Sequence, residues 1–424
     1  MRILRRPHPL AMFNVWFLVV FLCLFPKGGI KLGGLPLTWG YLYLALSTPP
    51  LVLVRILTLP LRLPTRVLFA VGMIAPIQIL CLYAAFFYGI AEPSFAISTF
   101  TGFFFLPWIF LLVYPPFLGY VDGQRFAKYV RLSILGAALW GIFLFIWHPL
   151  TGKFIEIPYL TVNAADFGEI ERTKHIARGF FLKLISTYNN GNLYGVCMLI
   201  LLPLYTVLEP KRWRRATLQL ALFLTLSRGV WAGMLANELF SLVFLFLRQI
   251  NTFPRVFLGG AGKRIAALAM TVFLVFASLL FNANSIAFLF DPQLGGRTAL
   301  FGIVSTATFL PSRGVSGLQE IIYLSAADQF GWVGAVALLL MMVSPLLLLL
   351  VDSSALQSPY RRAALRGLML YSFMGCIDGG FNYIPTMALY WFAYMIYLFG
   401  WPAAHPMPQE HTAVLTAPLG PATA

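Results

Sequence analysis

Val333–Val351 reads VGAVALLLMMVSPLLLLLV, nineteen residues without a charged side chain. A helix rises about 1.5 Å per residue, so the run covers roughly 28 Å, close to the ~30 Å hydrocarbon core of a bilayer. It lacks the apolar–polar alternation of a barrel strand. In lipid the backbone must satisfy its own hydrogen bonds, and a helix does this within one segment. The run is read as a membrane-spanning helix, and the chain on either side repeats the pattern.

Across 424 residues, 60% are hydrophobic and 10% charged, with a mean hydropathy of +0.82. A soluble domain carries about 25% charged residues, so this chain cannot cover a water-facing surface. Spans are predicted near 10–26, 36–54, 67–90, 95–118, 129–147, 181–208, 215–227, 229–247, 264–281, 320–350, 363–379 and 383–400. The expected fold is therefore all-α: a polytopic integral membrane protein of about twelve transmembrane helices. It forms a single domain over 1–400, followed by a cytoplasmic tail at 401–424, rich in Pro, Ala and Thr and expected to be disordered.

The net charge of +16 raises the question of nucleic acid, and the positions of the charges answer it. With these spans, one side carries Arg2, Arg5, Arg6, Arg55, Arg62, Arg66, Arg125, Lys128 and Arg131. It also carries Lys211, Arg212, Arg214, Arg215, Arg248, Arg255, Lys263, Arg264, Arg361, Arg362 and Arg366, so that twenty of the thirty basic residues are gathered there. By the positive-inside rule that side and both termini are cytoplasmic, and the charge orients the chain rather than binding nucleic acid. The first span has no small-x-small site before Pro26-Lys27-Gly28-Gly29, so it is read as uncleaved. Cys23, Cys81, Cys197 and Cys376 lie in apolar runs without disulfide or CxxC spacing and are read as packing residues.

Two long loops, near 148–180 and 282–319, fall on the external side, and loops of that length are commonly functional or disordered. Arg228, in Leu226-Ser227-Arg228-Gly229, stands about a dozen residues above the cytoplasmic cluster, roughly 18–20 Å up. An arginine at that depth either meets an anion in a cavity or snorkels to the outer headgroups. Arg297, in Gly295-Gly296-Arg297-Thr298, and Arg313, in Pro311-Ser312-Arg313-Gly314, are external as well. The guanidinium fork suits phosphate oxygens, and two such groups can grip a diphosphate. The first loop sets Arg172, Lys174, His175, Arg178 and Lys183 against Asp166, Glu169 and Glu171, either a solvated loop or a basic lid.

Asn189, Asn190 and Asn192 open the sixth span, where they can cap the helix or bond sugar hydroxyls and phosphate. Asn237 and Glu238 lie deep in the eighth span, as a functional pair or as a structural tie to a neighbouring helix. Glu320, Asp328 and Asp378 are each placed to serve as a general base on the outer face. There is no GxxxxGK[ST] loop, no HExxH and no external cluster of Asp residues, so the sequence calls for neither metal nor nucleotide as a cofactor.

These landmarks, in this order, resemble the O-antigen ligase and O-antigen polymerase family of bacterial envelope polysaccharide assembly, over roughly residues 180–400. The likeness rests on Asn190-Gly191-Asn192-Leu193-Tyr194-Gly195 with Leu202-Pro203-Leu204, and on Leu224-Thr225-Leu226-Ser227-Arg228-Gly229. It continues with Gly296-Arg297, then Pro311, Gly314 and Gly317, and Tyr323-Leu324 with Gly331 and Gly334. The resemblance implies a fold similar to GT-C-type membrane glycosyltransferases in the bacterial inner membrane, with the active site facing the periplasm. It implies glycan transfer from an undecaprenyl diphosphate carrier, with Arg228 and Arg297 holding the diphosphate and other polysaccharide export components as partners. Ligases of the family usually carry a His-Asn pair where this chain has Glu320-Ile321, which favours a polymerase. Glu320 is then the expected base, with His175 in reserve, and Arg313, Asn190, Asn192, Arg178 and Asp378 are expected to bind substrate. A ligase acting on lipid A-core or another acceptor is the alternative within the family. A transporter or flippase is the alternative outside it.

Overall fold

The computed structural model describes residues 7–32, 35–58, 63–170, 177–178, 181–249 and 297–403. The chain is a multi-pass helical membrane protein, and six of its described helices are long and apolar enough to cross a membrane. In chain order the elements are α1 (Pro9–Leu24), a hairpin of β1 (Gly29–Leu32) and β2 (Leu35–Thr38), α2 (Trp39–Thr58) and α3 (Thr65–Tyr88). Then come α4 (Pro93–Val113), α5 (Gly123–Thr151), a short β3–β4 pair (Ala177–Arg178 and Phe181–Leu182), α6 (Gly191–Leu208), α7 (Arg212–Phe223) and α8 (Arg228–Gln249). After a short helical stretch, Arg297–Thr306, the chain ends in α9 (Ile322–Val351), α10 (Pro359–Met374) and α11 (Ile384–Phe399).

Each span expected from the sequence coincides with a helix, apart from 264–281, which lies outside the described residues. The count of about twelve includes α7, α10 and α11, which have only 12, 16 and 16 residues. The sixth helix starts at Gly191 rather than near 181, because Ser186 and Asn189 take left-handed backbone angles (φ 52° and 54°) that no helix continues through. Trp401, assigned to the disordered tail, is ordered: its ring stacks on Phe126 at 4.5 Å and its indole N–H donates to the Gly123 carbonyl at 3.0 Å. Residues 404–424 lie outside the described residues. Cys376, expected to pack, is exposed, while Cys23, Cys81 and Cys197 are buried.

The middle of the bundle is α6, with 78% of its span buried against 17% for α2. Around it stand α10 and α11, whose Tyr371, Tyr390, Trp391, Tyr394 and Tyr397 are fully buried. Packing between α6 and α10 is close because of Gly367: a Cβ there would come within 2.1 Å of the Ile200 carbonyl oxygen. Small residues of this kind let membrane helices approach to backbone contact. Two π-helical turns in α4 loosen its ladder, and side chains of neighbouring helices take up the freed carbonyls. Trp391 Nε1 donates to Gly102 O at 2.8 Å, and Gln78 Nε2 donates to Phe103 O at 2.6 Å.

Helix ends sort into two levels. At one, Arg361 joins the start of α10 to the ends of α9 and α11, through Asp352 at 2.8 Å and the Tyr397 carbonyl at 2.6 Å. Arg66 at the start of α3 pairs with the same Asp352. At the α6–α7 corner, Glu209, only 1% exposed, accepts from Lys211 N and Arg214. Arg66, Arg214 and Arg361 each pair with a carboxylate at such helix ends. Asn237 and Glu238 have the structural role among those considered: Arg366 of α10 donates to Asn237 Oδ1 at 2.8 Å, and Asn237 donates to Glu238 at 2.9 Å, tying α8 to α10.

A long apolar run reads as one straight helix, but α9 is broken at Gly331, whose φ is +72°. Residues 308–312 cross the break, and the freed N–H groups of Trp332 and Val333 donate to Thr308 O and Phe309 O at 3.0 and 3.2 Å. A Cβ at Gly331 would lie 2.5 Å from Phe309 O. Gly331→Ala thus meets both a left-handed backbone and a wall, and should cost about 1–3 kcal/mol. Thermal unfolding in detergent checks this, and an unchanged melting temperature would mean that the strap is not docked.

Candidate functional site

The level opposite the basic clusters gathers the polar residues that sequence reading singled out one by one. Asn190 caps α6, its side-chain oxygen accepting from the N–H groups of Asn192 and Leu193 at 2.9 and 3.3 Å. That oxygen is committed to the helix start, so a ligand-binding role for Asn190 falls to its Nδ2. Capping also fixes the direction of Asn192, whose Nδ2 donates to Asp378 Oδ2 at 2.8 Å. The other end of the same amide, Oδ1, accepts from Lys183 Nζ at 3.3 Å.

The outcome is a chain, Lys183–Asn192–Asp378, running from the segment before α6, through its first turn, to the turn after α10. Lys183 and Asp378 are only 7% and 8% exposed. Burying a charge is costly unless it is paired or hydrogen-bonded, and here one amide serves an ammonium with its oxygen and a carboxylate with its nitrogen. Asp378 is presented because α10 ends at Met374, whose carbonyl accepts from Ile377 N and Asp378 N at 2.8 and 2.7 Å.

The backbones at Arg228 and Glu320 approach the same turn as this chain. Leu226, two residues before Arg228, is held in a left-handed conformation (φ 49°), an arrangement that costs an L-residue roughly 1–2 kcal/mol. The following α8 packs against the turn: a Cβ on Gly229 would lie 3.1 Å from Ile377 Cγ2, the neighbour of Asp378. Glu320 is exposed, and its carbonyl accepts from Gly379 N at 2.8 Å, which brings its backbone to the residue after Asp378. Arg228, Asn192, Asp378, Glu320 and Lys183 thus come from five separate stretches of chain to one level.

Arg313 stands elsewhere, on the strap at the end of α3, where Val315 N donates to Gly89 O at 2.9 Å. It forms an ion pair with Asp328. That pair is a tie between residues 308–315 and α9, and a diphosphate held by Arg313 would have to compete with Asp328. Asp328, one of the three possible bases, is the other half of that tie. Arg297 begins the helical stretch Arg297–Gly302, and Arg178 lies in β3, paired with Phe181. Arg172, Lys174 and His175 lie outside the described residues.

Sequence reading missed Lys27, whose ammonium lies 4.3 Å from the centroid of the Tyr383 ring. Tyr383 in turn packs edge-on against buried Tyr188, whose hydroxyl donates to Cys23 O at 2.9 Å. One signal was present: Lys27 departs from the basic side of the chain just as Arg228 does. No known protein-family model matches the chain, and no curated protein matches it.

Proposed function

We propose that this chain is a membrane glycosyltransferase, a polymerase that transfers glycan from an undecaprenyl diphosphate carrier to an acceptor sugar. On this reading it is similar to GT-C-type enzymes and sits in a bacterial inner membrane, both termini cytoplasmic and the site facing the periplasm. The observation that carries the reading is the buried Lys183–Asn192–Asp378 chain beside Arg228. A carboxylate, an ammonium and a guanidinium at one helix level supply the two kinds of group that the transfer needs.

The acceptor hydroxyl attacks the anomeric carbon while the bond from that carbon to the diphosphate oxygen breaks. The hydroxyl proton passes to a carboxylate, and the diphosphate leaves with the bonding electrons. Asp378 is the better base than Glu320, because its carboxylate is held at a fixed angle by Asn192 whereas Glu320 is exposed. Arg228 and Lys183 offset the charge that develops on the leaving diphosphate, the kind of fixed electrostatic stabilisation that such reactions depend on. A single displacement of this kind inverts the anomeric centre.

The test is reconstitution of purified protein with an undecaprenyl diphosphate-linked oligosaccharide, EDTA present and no nucleotide sugar, with products separated by size. A ladder of longer lipid-linked glycans is expected. Transfer only when lipid A-core is added would make the chain a ligase. No product in either case, with intact substrate and folded protein, would overturn glycosyl transfer and favour transport.

A further inference from the structure

Across the first turn of α6 from the Lys183–Asn192–Asp378 chain lies a second polar cluster that the transfer step does not use. The two are joined by the turn at Gly380, where a Cβ would lie 2.9 Å from Leu193 Cδ2. Tyr383 N donates to Gly380 O at 3.1 Å, which swings the Tyr383 ring beneath Lys27. The β1–β2 hairpin supplies the rest: Gly29 pairs with Thr38, so Thr38 returns beside Lys27 and Gly28. Trp39 N donates to Gly28 O at 3.0 Å and starts α2, with Tyr41 in its first turn. The Tyr41 hydroxyl lies within electrostatic reach of the Tyr383 hydroxyl and next to Thr38.

Three hydroxyls in this cluster, Thr38 Oγ1, Tyr41 OH and Tyr383 OH, are buried and make no hydrogen bond of good geometry among the described residues, although Thr38 and Tyr41 face each other. Thr38 as a whole is only 4% exposed. Buried polar atoms are nearly always satisfied, so a Tyr383 hydroxyl without a partner beside an ammonium, with the poorly bonded Thr38–Tyr41 pair nearby, points to a missing partner. All four groups can donate, and a group that accepts from four donors, carries negative charge and fits beside an ammonium is an oxyanion.

We propose that Lys27, Thr38, Tyr41 and Tyr383 form an oxyanion-binding subsite for a phosphate or diphosphate group. Its natural occupant rests on the transfer reading: polymerisation needs a second lipid-linked diphosphate, whereas the binding chemistry stands by itself. A lipid headgroup and a soluble phosphate present the same oxygens, so the test separates them.

Full-length protein in phosphatidylcholine nanodiscs is titrated calorimetrically with inorganic pyrophosphate, with and without undecaprenyl diphosphate in the nanodisc. Lys27→Met and Tyr383→Phe should each weaken one binding step by about tenfold, the worth of a hydrogen bond to a charged group. If Arg228 holds a second pyrophosphate, Arg228→Ala should move the other step and leave this one. Tyr383→Phe should leave the melting temperature of the ligand-free protein unchanged or higher, since it removes an orphaned hydroxyl. Loss of the pyrophosphate step when undecaprenyl diphosphate is present supports a lipid occupant, and its persistence supports a soluble one. Equal affinity in wild type and both variants overturns the subsite. So does a Tyr383→Phe protein that melts lower with its affinity intact, which would mean a structural water. Pyrophosphate binding through Lys27 in a protein that makes no glycan would leave the subsite standing and remove the transfer reading.

Discussion

Asp378→Asn is expected to reduce glycan transfer by roughly 10²–10⁴-fold, the usual worth of a positioned general base, with little change in stability. The asparagine keeps an oxygen for Asn192 Nδ2 to donate to, at the position where Asp378 Oδ2 now accepts at 2.8 Å. What it loses is the ability to take a proton. Glu320→Gln is the control, because Glu320 reaches the same turn through its backbone carbonyl and that contact survives the substitution. Initial rates of ladder formation in the reconstituted assay separate the two residues. Full activity in Asp378→Asn together with loss in Glu320→Gln would return the role of base to Glu320. Arg228→Ala tests the leaving-group side of the site. If transfer persists at the wild-type rate, the diphosphate is held elsewhere.

Arg361→Ala should be the most destabilising substitution at the basic end, at about 3–5 kcal/mol, since it leaves a paired carboxylate without its principal cation. Arg361, 8% exposed, donates from three nitrogens: to Asp352 at 2.8 Å, to Ser354 Oγ at 2.9 Å and to Tyr397 O at 2.6 Å. Together these bind three helix termini. The Ser354 hydroxyl, with help from Arg361, holds the Asp352 carboxyl down at about 2, below its ordinary 3.8. A carboxyl held low in the folded state stabilises fully above its unfolded value, and that contribution is lost as pH falls through the folded one. The stabilisation, at most about 1 kcal/mol once solvent screening of a mostly accessible carboxylate is allowed for, should therefore be complete above pH 4 to 5 and fade towards pH 2. Thermal unfolding in detergent as a function of pH measures both effects. A flat profile between pH 5 and 2 in wild type, or an Arg361→Ala protein that melts like wild type, would count against the latch.

Sequence alone revealed the helices because hydropathy acts over one segment at a time. Val333–Val351 needs no partner to be recognised as a span. The break at Gly331 escaped because it depends on residues 308–312 arriving to take two N–H groups, a contact that no local pattern records. The site divides in the same way. Asn192 and Asp378 were each legible as polar residues at helix ends, but the bond between them crosses 186 positions of sequence. Lys183 read as one charge in a mixed loop, and only its burial distinguishes it from its neighbours. Arg361 read as part of an orienting cluster, and its side chain fastens α9, α10 and α11. Nothing in the sequence marks Thr38, Tyr41 and Tyr383, and what sets them apart is that their hydroxyls are buried short of good hydrogen bonds.

The shortness of α7 has a consequence for the surrounding lipid. Its 12 residues rise about 18 Å, against ~30 Å for an average hydrocarbon layer. The chain turns back at Leu224–Ser227, level with the start of α6, where Leu184 N donates to Leu224 O at 3.0 Å. Were α7 to border the bilayer, local thinning would be one way to relieve the mismatch, and on the proposed orientation it would draw the outer headgroup plane down towards Arg228. On the transfer reading, a lipid-linked anion drifting along that edge in its own leaflet would then meet the guanidinium at the depth where its phosphates already ride.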